Sequence, residues 1–431
     1  MNQIAVVFPG QGSQYSGMGK KWLERTPHAS RLFEEANEAI GFDLKKLCID
    51  GSMADLTRTV YTQPTILTIE MIMYSALIEQ TGIKPTLLAG HSLGEITALC
   101  AAESIAFSDA VRLAYFRGKY MQEAVPQGIG GMSAVKNLSK NEIEKICADV
   151  SSEMDTVVPS NYNAKDQIVI SGKRSALNEA GNRILQLGGQ IIPLQVSAPF
   201  HSPLMKPAAV MLSELMKGFS FKAPKHPVLS NVTGRYYGEQ SDIVNMLQLQ
   251  LTSPVLWIEC MVRMKEAGIS TVIEAGPLNV LSTLLALTYP EMNVFSMDQI
   301  EIDALRDKLK TGEAGNINIL PQYPSGINTV KSMTNIVSKC IAIAVCTRNR
   351  NWNNDEYQRG VIEPYRKVLK IQNELDRTGL EPNMEQMKEA LTMLQSVFET
   401  KMVPTGERIE RYNQLFAETG TRQLFPDIEF K

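Results

Sequence analysis

One serine in this chain has the surroundings of a nucleophile. Pro85 to Ala89 is mostly apolar, Gly90-His91-Ser92-Leu93-Gly94 is a tight corner, and Glu95 to Ala102 is rich in small and apolar residues. An apolar strand, a sharp turn and a helix, with the serine at the turn, is the Gly-x-Ser-x-Gly elbow. Such a corner projects the hydroxyl, and its glycines let neighbouring backbone approach. The amide of Leu93, at the helix start, points to where an oxyanion would form. A plain Gly/Ser turn is the competing reading, and the flanking strand and helix disfavour it.

A nucleophile needs a base, and the chain has four histidines, His28, His91, His201 and His226. His201 follows an apolar strand at what reads as a domain junction, so it can reach a cleft. His28 and His226 stand in polar segments beside prolines, and His91 should point away from the hydroxyl's side of the turn. A second chemical signal is Arg117. A helix is expected from a Ser108-Asp109 cap to about Ala124. Its face at positions 110, 113, 114, 117 and 121 reads Ala, Leu, Ala, Arg, Met, which puts Arg117 on the apolar side. A desolvated guanidinium needs an anion. That anion is either a carboxylate elsewhere in the chain or a substrate carboxylate held by the guanidinium fork. The Ile4–Phe8 strand leads into a Gly-rich loop, Pro9 to Gln14. Tyr15 stands where a dinucleotide fingerprint needs its third glycine, which excludes that cofactor site. An amide-bearing loop there can instead help to hold an oxyanion.

The rest of the chain must position these groups. Its 431 residues suggest two or three domains, and 44% hydrophobic with 21% charged residues is an ordinary globular balance. A net charge of -3 argues against nucleic acid or an anionic membrane as the main partner. The N-terminus lacks the basic start and long apolar core of a signal peptide, and Ile336 to Val345 is too short to span a bilayer. Six scattered cysteines with no Cys-x-x-Cys or Cys/His cluster predict reduced thiols, no metal site and a cytoplasmic protein. Thr62-Gln63-Pro64 is expected just before a buried helix, with Pro64 in its first turn. From about Ile129 the pattern becomes β-α-β-β-α-β, a ferredoxin-like unit inserted in the larger domain. The expected plan is a large α/β domain over 1–127 and 203–310, a small domain over 128–202, a linker over 311–329 and a helical extension over 330–431. In that extension Met384, Met387, Leu391, Leu394 and Phe398 form one apolar stripe, and Ile409, Tyr412 and Leu415 another. They read as core or as a docking face.

Five motifs in order resemble the malonyl-CoA:acyl-carrier-protein transacylases: Phe8 to Gln14, Gln63-Pro64, Gly90 to Glu95, Arg117-Gly118 with Met121 to Ala124, and Phe200-His201-Ser202. The likeness covers about residues 1–290 and implies an α/β-hydrolase-like large domain with the inserted ferredoxin-like domain. It implies ping-pong transfer of malonyl from malonyl-CoA to an acyl carrier protein. Ser92 would be the nucleophile, His201 the base, and the amides of Gln11 and Leu93 the oxyanion hole. It also implies that the carbonyl of Gln250 orients the histidine, that Arg117 pairs with the malonyl carboxylate, and that Gln63 and Asn161 line the cleft. No cofactor is implied, because malonyl-CoA is a substrate. Phe200 precedes the histidine, as in many malonyl-selective polyketide acyltransferases, and would crowd an α-methyl. Leu278 and Asn279 depart from the glycine and lysine that many relatives carry. The resemblance leans toward loading a trans-acyltransferase polyketide synthase. The alternatives are a housekeeping fatty-acid transacylase and a hydrolase that clears stalled acyl groups, whose subgroup typically replaces the arginine. A non-catalytic scaffolding subunit is disfavoured by the intact set of residues.

Overall fold

The computed structural model describes residues 3–126, 128–194, 196, 198–238, 240–311, 336–347, 351, 353–378, 382–419 and 421–425. The chain separates into two compact units, Met1–Gly326 and Ile327–Lys431. Of the linker expected over 311–329, only Thr311 is described, as the last residue of the Ile302–Thr311 helix. The rest of that stretch lies outside the described residues.

Eight strands lie among the described residues of the first unit: β1 (Ile4–Phe8), β2 (Leu87–Gly90), β3 (Gly130–Lys136), β4 (Val157–Ala164), β5 (Gln167–Lys173), β6 (Gln190–Pro193), β7 (Thr271–Glu274) and β8 (Asn293–Ser296). The near-continuous apolar runs of β1, β2, β7 and β8 are buried on both faces, as parallel strands under helices must be. They form one parallel sheet in the order β2-β1-β7-β8. Phe8 pairs with Gly90, and Val7 with Glu274. The Pro9–Gln14 loop, the serine corner and the turn after Glu274 therefore leave the sheet side by side, at the strands' carboxyl ends where open α/β sheets bind ligands.

The second sheet is antiparallel, in the order β4-β5-β3-β6, with helices Lys140–Val150 and Arg174–Gln186 against it. This is the ferredoxin-like insertion. Strand alternation divides its residues between two jobs. Val135, Ile168 and Ile170 pack with the helices, whereas Met132, Ala134 and Val169 face the large domain and line the cleft between the two.

Two helices differ from the sequence expectation. The helix that carries Gln63 begins at Thr59, so Pro64 lies inside it. Proline removes one amide donor and normally breaks an interior turn. Here Thr62, Thr65 and Thr68 donate their hydroxyls to carbonyls one turn back, with the Thr68 bond to Pro64 O at 2.8 Å. The longer helix holds Gln63 on a rigid wall and not in a loop. The Arg117 helix starts at Phe107, with Ala106 as its uncapped N-terminal neighbour. Phe107 packs on the core and draws the start past Ser108, which leaves Asp109 in the first turn, where the helix dipole favours it.

The second unit contains helices Ile336–Cys346, Glu363–Thr378, Met384–Thr400 and Thr405–Thr419. Leu391, Leu394, Phe398, Tyr412 and Leu415 are buried in its own core, whereas Met384 and Ile409 are exposed. The two stripes therefore serve mainly as core and not as a docking face. Lys401 is buried and donates to the carbonyls of Ala344 and Thr347, at 2.8 Å each, closing the end of the Ile336–Cys346 helix. Among the described residues no helix is long and apolar enough to cross a membrane.

Candidate active site

The serine corner is built by close approach. Ser92 has φ 55° and ψ -99°, a strained conformation for a residue with a side chain. A Cβ on Gly90 would lie 1.9 Å from the Gly94 carbonyl, and one on Gly94 would lie 2.1 Å from Phe8 O. Both glycines are thus demanded by backbone that cannot yield. Asn231 holds the strain: its Oδ1 accepts from Ser92 N at 2.6 Å, and its Nδ2 donates to Gly90 O at 2.7 Å. Gly94→Ala is expected to cost about 3 kcal/mol or more, because the β1 backbone must move. Urea unfolding reads this, and a midpoint unchanged from the parent chain would refute it.

Ser92 Oγ lies 2.8 Å from His201 Nε2, and His201 Nδ1 lies 2.8 Å from the carbonyl of Gln250. Gln250 ends the Gln240–Gln250 helix, so its carbonyl is one of those a helix leaves for outside partners. That carbonyl accepts the Nδ1 proton and leaves Nε2 as the acceptor facing the serine. His91 points elsewhere, its Nε2 2.9 Å from Asn163 Oδ1 and its ring against Trp257.

Arg117 completes the group. It is 1% exposed, and it donates from Nη1 to Gln63 Oε1 at 2.9 Å and from Nη2 to Gln250 Oε1 at 2.7 Å. Nη2 also lies 3.0 Å from Ser92 Oγ. Among the described residues no carboxylate is in ion-pair range of this guanidinium, and its buried Nε–H has no partner. The structural salt bridge that sequence reasoning offered as an alternative is absent among them.

A cleft of about 500 Å³ lies over these groups. Gln11, Leu93, Gln63, Arg117, Asn161, Phe200 and His201 all line it with Ser92. Leu93 is the first residue of its helix, where backbone N–H groups lack intrahelical partners. Gln11 sits in the adjacent loop, with its side-chain amide on Thr59 Oγ1 at 3.2 Å. Leu278, in the departing turn, has φ 61° and is held by its N–H on Asp298 and its carbonyl on Ser296 Oγ. This left-handed backbone explains why a glycine would suit that position.

Burial dominates the electrostatics. It lowers His201 to about 3, with the Arg117 charge adding in the same direction. It lowers Arg117 to about 10 against the opposing pull of Glu95, and raises Glu95 to about 7. The base is therefore neutral in the resting site, with Nε2 unprotonated toward the serine. The unfolded chain takes up a proton at this histidine below its ordinary 6.5 while the folded chain does not. Its contribution to stability accordingly falls as pH drops from 6.5 toward 3. An NMR titration is expected to find the His201 ring neutral down to about pH 5; a midpoint near 6.5 would contradict the burial argument.

Sequence reasoning missed Glu95, Asn231 and Tyr237. Glu95 was within reach: a carboxylate in the small-residue helix after the corner is as conspicuous as Arg117 on its apolar face. Asn231 and Tyr237 carry no local signal.

An acyl transferase domain profile matches residues 5–318. A malonyl CoA-acyl carrier protein transacylase of Bacillus subtilis is 34% identical over 410 residues, spanning 95% of this chain and 99% of that protein. One from Salmonella typhimurium is 41% identical over 285 residues, 66% of this chain and 92% of its own. Among solved structures, the malonyl CoA-acyl carrier protein transacylase of Coxiella burnetii superposes with a TM-score of 0.69 at 36% identity, covering 72% of this chain and 97% of that one. A malonyl-transacylase in complex with its type II polyketide synthase acyl-carrier protein gives 0.69 at 35%, covering 72% and 100%.

Proposed function

This chain belongs to the malonyl-CoA:acyl-carrier-protein transacylase family, and from that premise we propose that it carries malonyl from malonyl-CoA to a carrier protein's phosphopantetheine thiol through an ester on Ser92. Ser92 Oγ attacks the thioester carbonyl carbon as His201 Nε2 takes its proton. The tetrahedral oxyanion accepts hydrogen bonds from the Gln11 and Leu93 amides. The C–S bond breaks, and His201 returns the proton to the departing CoA sulfur. In the second half the carrier thiol gives its proton to His201 and its sulfur attacks the ester carbonyl carbon; the acyl C–O bond breaks and His201 returns the proton to Ser92 Oγ. Gln250 O steadies the imidazolium at each step, and as a helix C-terminus it favours that positive charge. The chain's own residues handle every bond and proton, so no cofactor enters the scheme.

The observation that carries this reading is Arg117, a buried guanidinium 3.0 Å from the nucleophile with no carboxylate in ion-pair range among the described residues. A fork beside the reacting carbonyl suits an acyl group that ends in its own carboxylate. Gln63 holds the fork, and Asn161 and Phe200 line the same cleft, where a bulky ring before the histidine would suit malonyl over an α-methyl homologue. The test is to offer malonyl-, methylmalonyl- and acetyl-CoA together and to read the group on Ser92 by mass spectrometry. Malonyl is expected; acetyl in its place, or free acid released with no transfer, would overturn the reading.

We further infer that the carrier belongs to a polyketide synthase. Phe200 and a helical unit beyond the matched 5–318 support this. The similarity to the transacylase solved with a type II polyketide synthase carrier adds to it. A higher kcat/KM with polyketide carriers than with the fatty-acid carrier is the expected result, and the reverse order would assign a housekeeping role.

A further inference from the structure

We propose that Glu95 is a positioning residue that aligns the arginine by fixing one amide, the side chain of Gln250. The inference rests on the malonyl-transfer reading and names a residue outside the cleft lining.

Glu95 is fully buried one turn into the helix that follows the nucleophile. Its Oε2 accepts from Gln250 Nε2 at 2.5 Å and from Asn231 N at 3.2 Å, and its Oε1 accepts from Tyr237 OH. Gln250 Nε2 also donates to Ser92 O at 3.0 Å. Both acceptors draw the NH₂ end of the amide to one side, so Oε1 must face Arg117 Nη2, 2.7 Å away. The backbone of the same residue carries the carbonyl that holds His201 Nδ1.

Without the carboxylate the amide keeps only one acceptor for its NH₂. Turning over would then set donor against donor at Arg117, and the guanidinium would lose the partner that aims it at the serine. The ionised form of Glu95 also pulls on the Arg117 charge, across the amide that lies between them. Asn231 ties the carboxylate to the corner as well, because its amide nitrogen binds Glu95 while its side chain holds Ser92 N.

The test compares single-turnover loading of malonyl-CoA and acetyl-CoA by the full chain and by Glu95→Ala, Glu95→Gln and Arg117→Ala. Glu95→Ala is expected to lower malonyl-over-acetyl discrimination by at least about tenfold, and to add nothing in the Arg117→Ala background, because both act through one contact. Glu95→Gln, whose oxygen can still accept from Gln250 and Asn231, is expected to recover most of that loss. A purely structural role would lower stability and leave discrimination unchanged, or lower it by the same factor in both backgrounds; either result overturns the proposal. If Glu95→Ala does not fold, Gln250→Met, which keeps the carbonyl on His201, must show the same loss of discrimination, and parental discrimination there overturns it. If the unaltered chain carries no malonyl, the function is wrong. If it does and Glu95→Ala is as selective, only this inference falls.

Discussion

Replacing Ser92 by alanine is expected to abolish the covalent malonyl-enzyme and to cut transfer by about 10⁵- to 10⁶-fold, the scale seen when a hydrolase-type nucleophile is removed. Ser92 Oγ is the hydroxyl 2.8 Å from His201 Nε2, and its other close partner is the guanidinium of Arg117, a poor nucleophile. The oxyanion donors remain in the variant, so slow background cleavage of the thioester can persist without an acyl-enzyme. The fold should survive, because Arg117 keeps Gln63 and Gln250, and His201 keeps its backbone partner. Intact-protein mass after incubation with malonyl-CoA gives the result directly, with a thermal melt as the control for folding. Malonyl still bound to a folded Ser92→Ala chain would sink the covalent mechanism.

Arg117→Ala is expected to lower kcat/KM for malonyl-CoA by about 10²- to 10³-fold while leaving acetyl-CoA within a few-fold. The estimate follows from a desolvated charge-assisted fork, worth about 3–4 kcal/mol when two such bonds form. The pair is strong because the site excludes water: Arg117 is 1% exposed, and no carboxylate in the described chain competes at close range. An equal loss for both substrates has a different meaning. Nη2 also donates to Ser92 Oγ, so uniform loss would make Arg117 a support for the nucleophile and not a selector of acyl group. Loading rates for the two CoA esters, measured side by side, separate these outcomes.

The chemistry was legible wherever it was written locally. A corner such as Gly90 to Gly94 is a contiguous statement, since strand, strained residue and helix follow one another along the chain. Arg117 was conspicuous because helical periodicity exposes a charge on an apolar face. The alternating pattern of the inserted domain was readable for the same reason, as each strand and helix shows its own period. His201 stood out among four histidines by its place at a domain junction, and the Gln11 loop by its amide at a strand end, whereas Gln250 became a candidate only through the family likeness, because a helix-end carbonyl looks like many others. Pro64 misled because the rule for proline at a helix start is local. The packing that holds the longer helix around it, from Thr59 to Thr81, is a property of the finished fold.

From the chain alone one can derive a serine corner, an arginine in want of an anion, an inserted four-stranded domain and a helical extension. All of these rest on interactions within a few residues or on the period of one element. Folding decided how those pieces meet. The parallel register of β1 and β2 sets the loop of Gln11 beside Ser92. Positions 92, 117, 201 and 250 then close to hydrogen-bond range across sequence separations of as many as 158. Folding also decided that the anion near Arg117 is not its direct partner but Glu95, one amide away. Nothing in one dimension encodes that arrangement. It arises because a buried carboxylate and a buried guanidinium must each satisfy their hydrogen bonds, and the Gln250 side chain is the group that can face both.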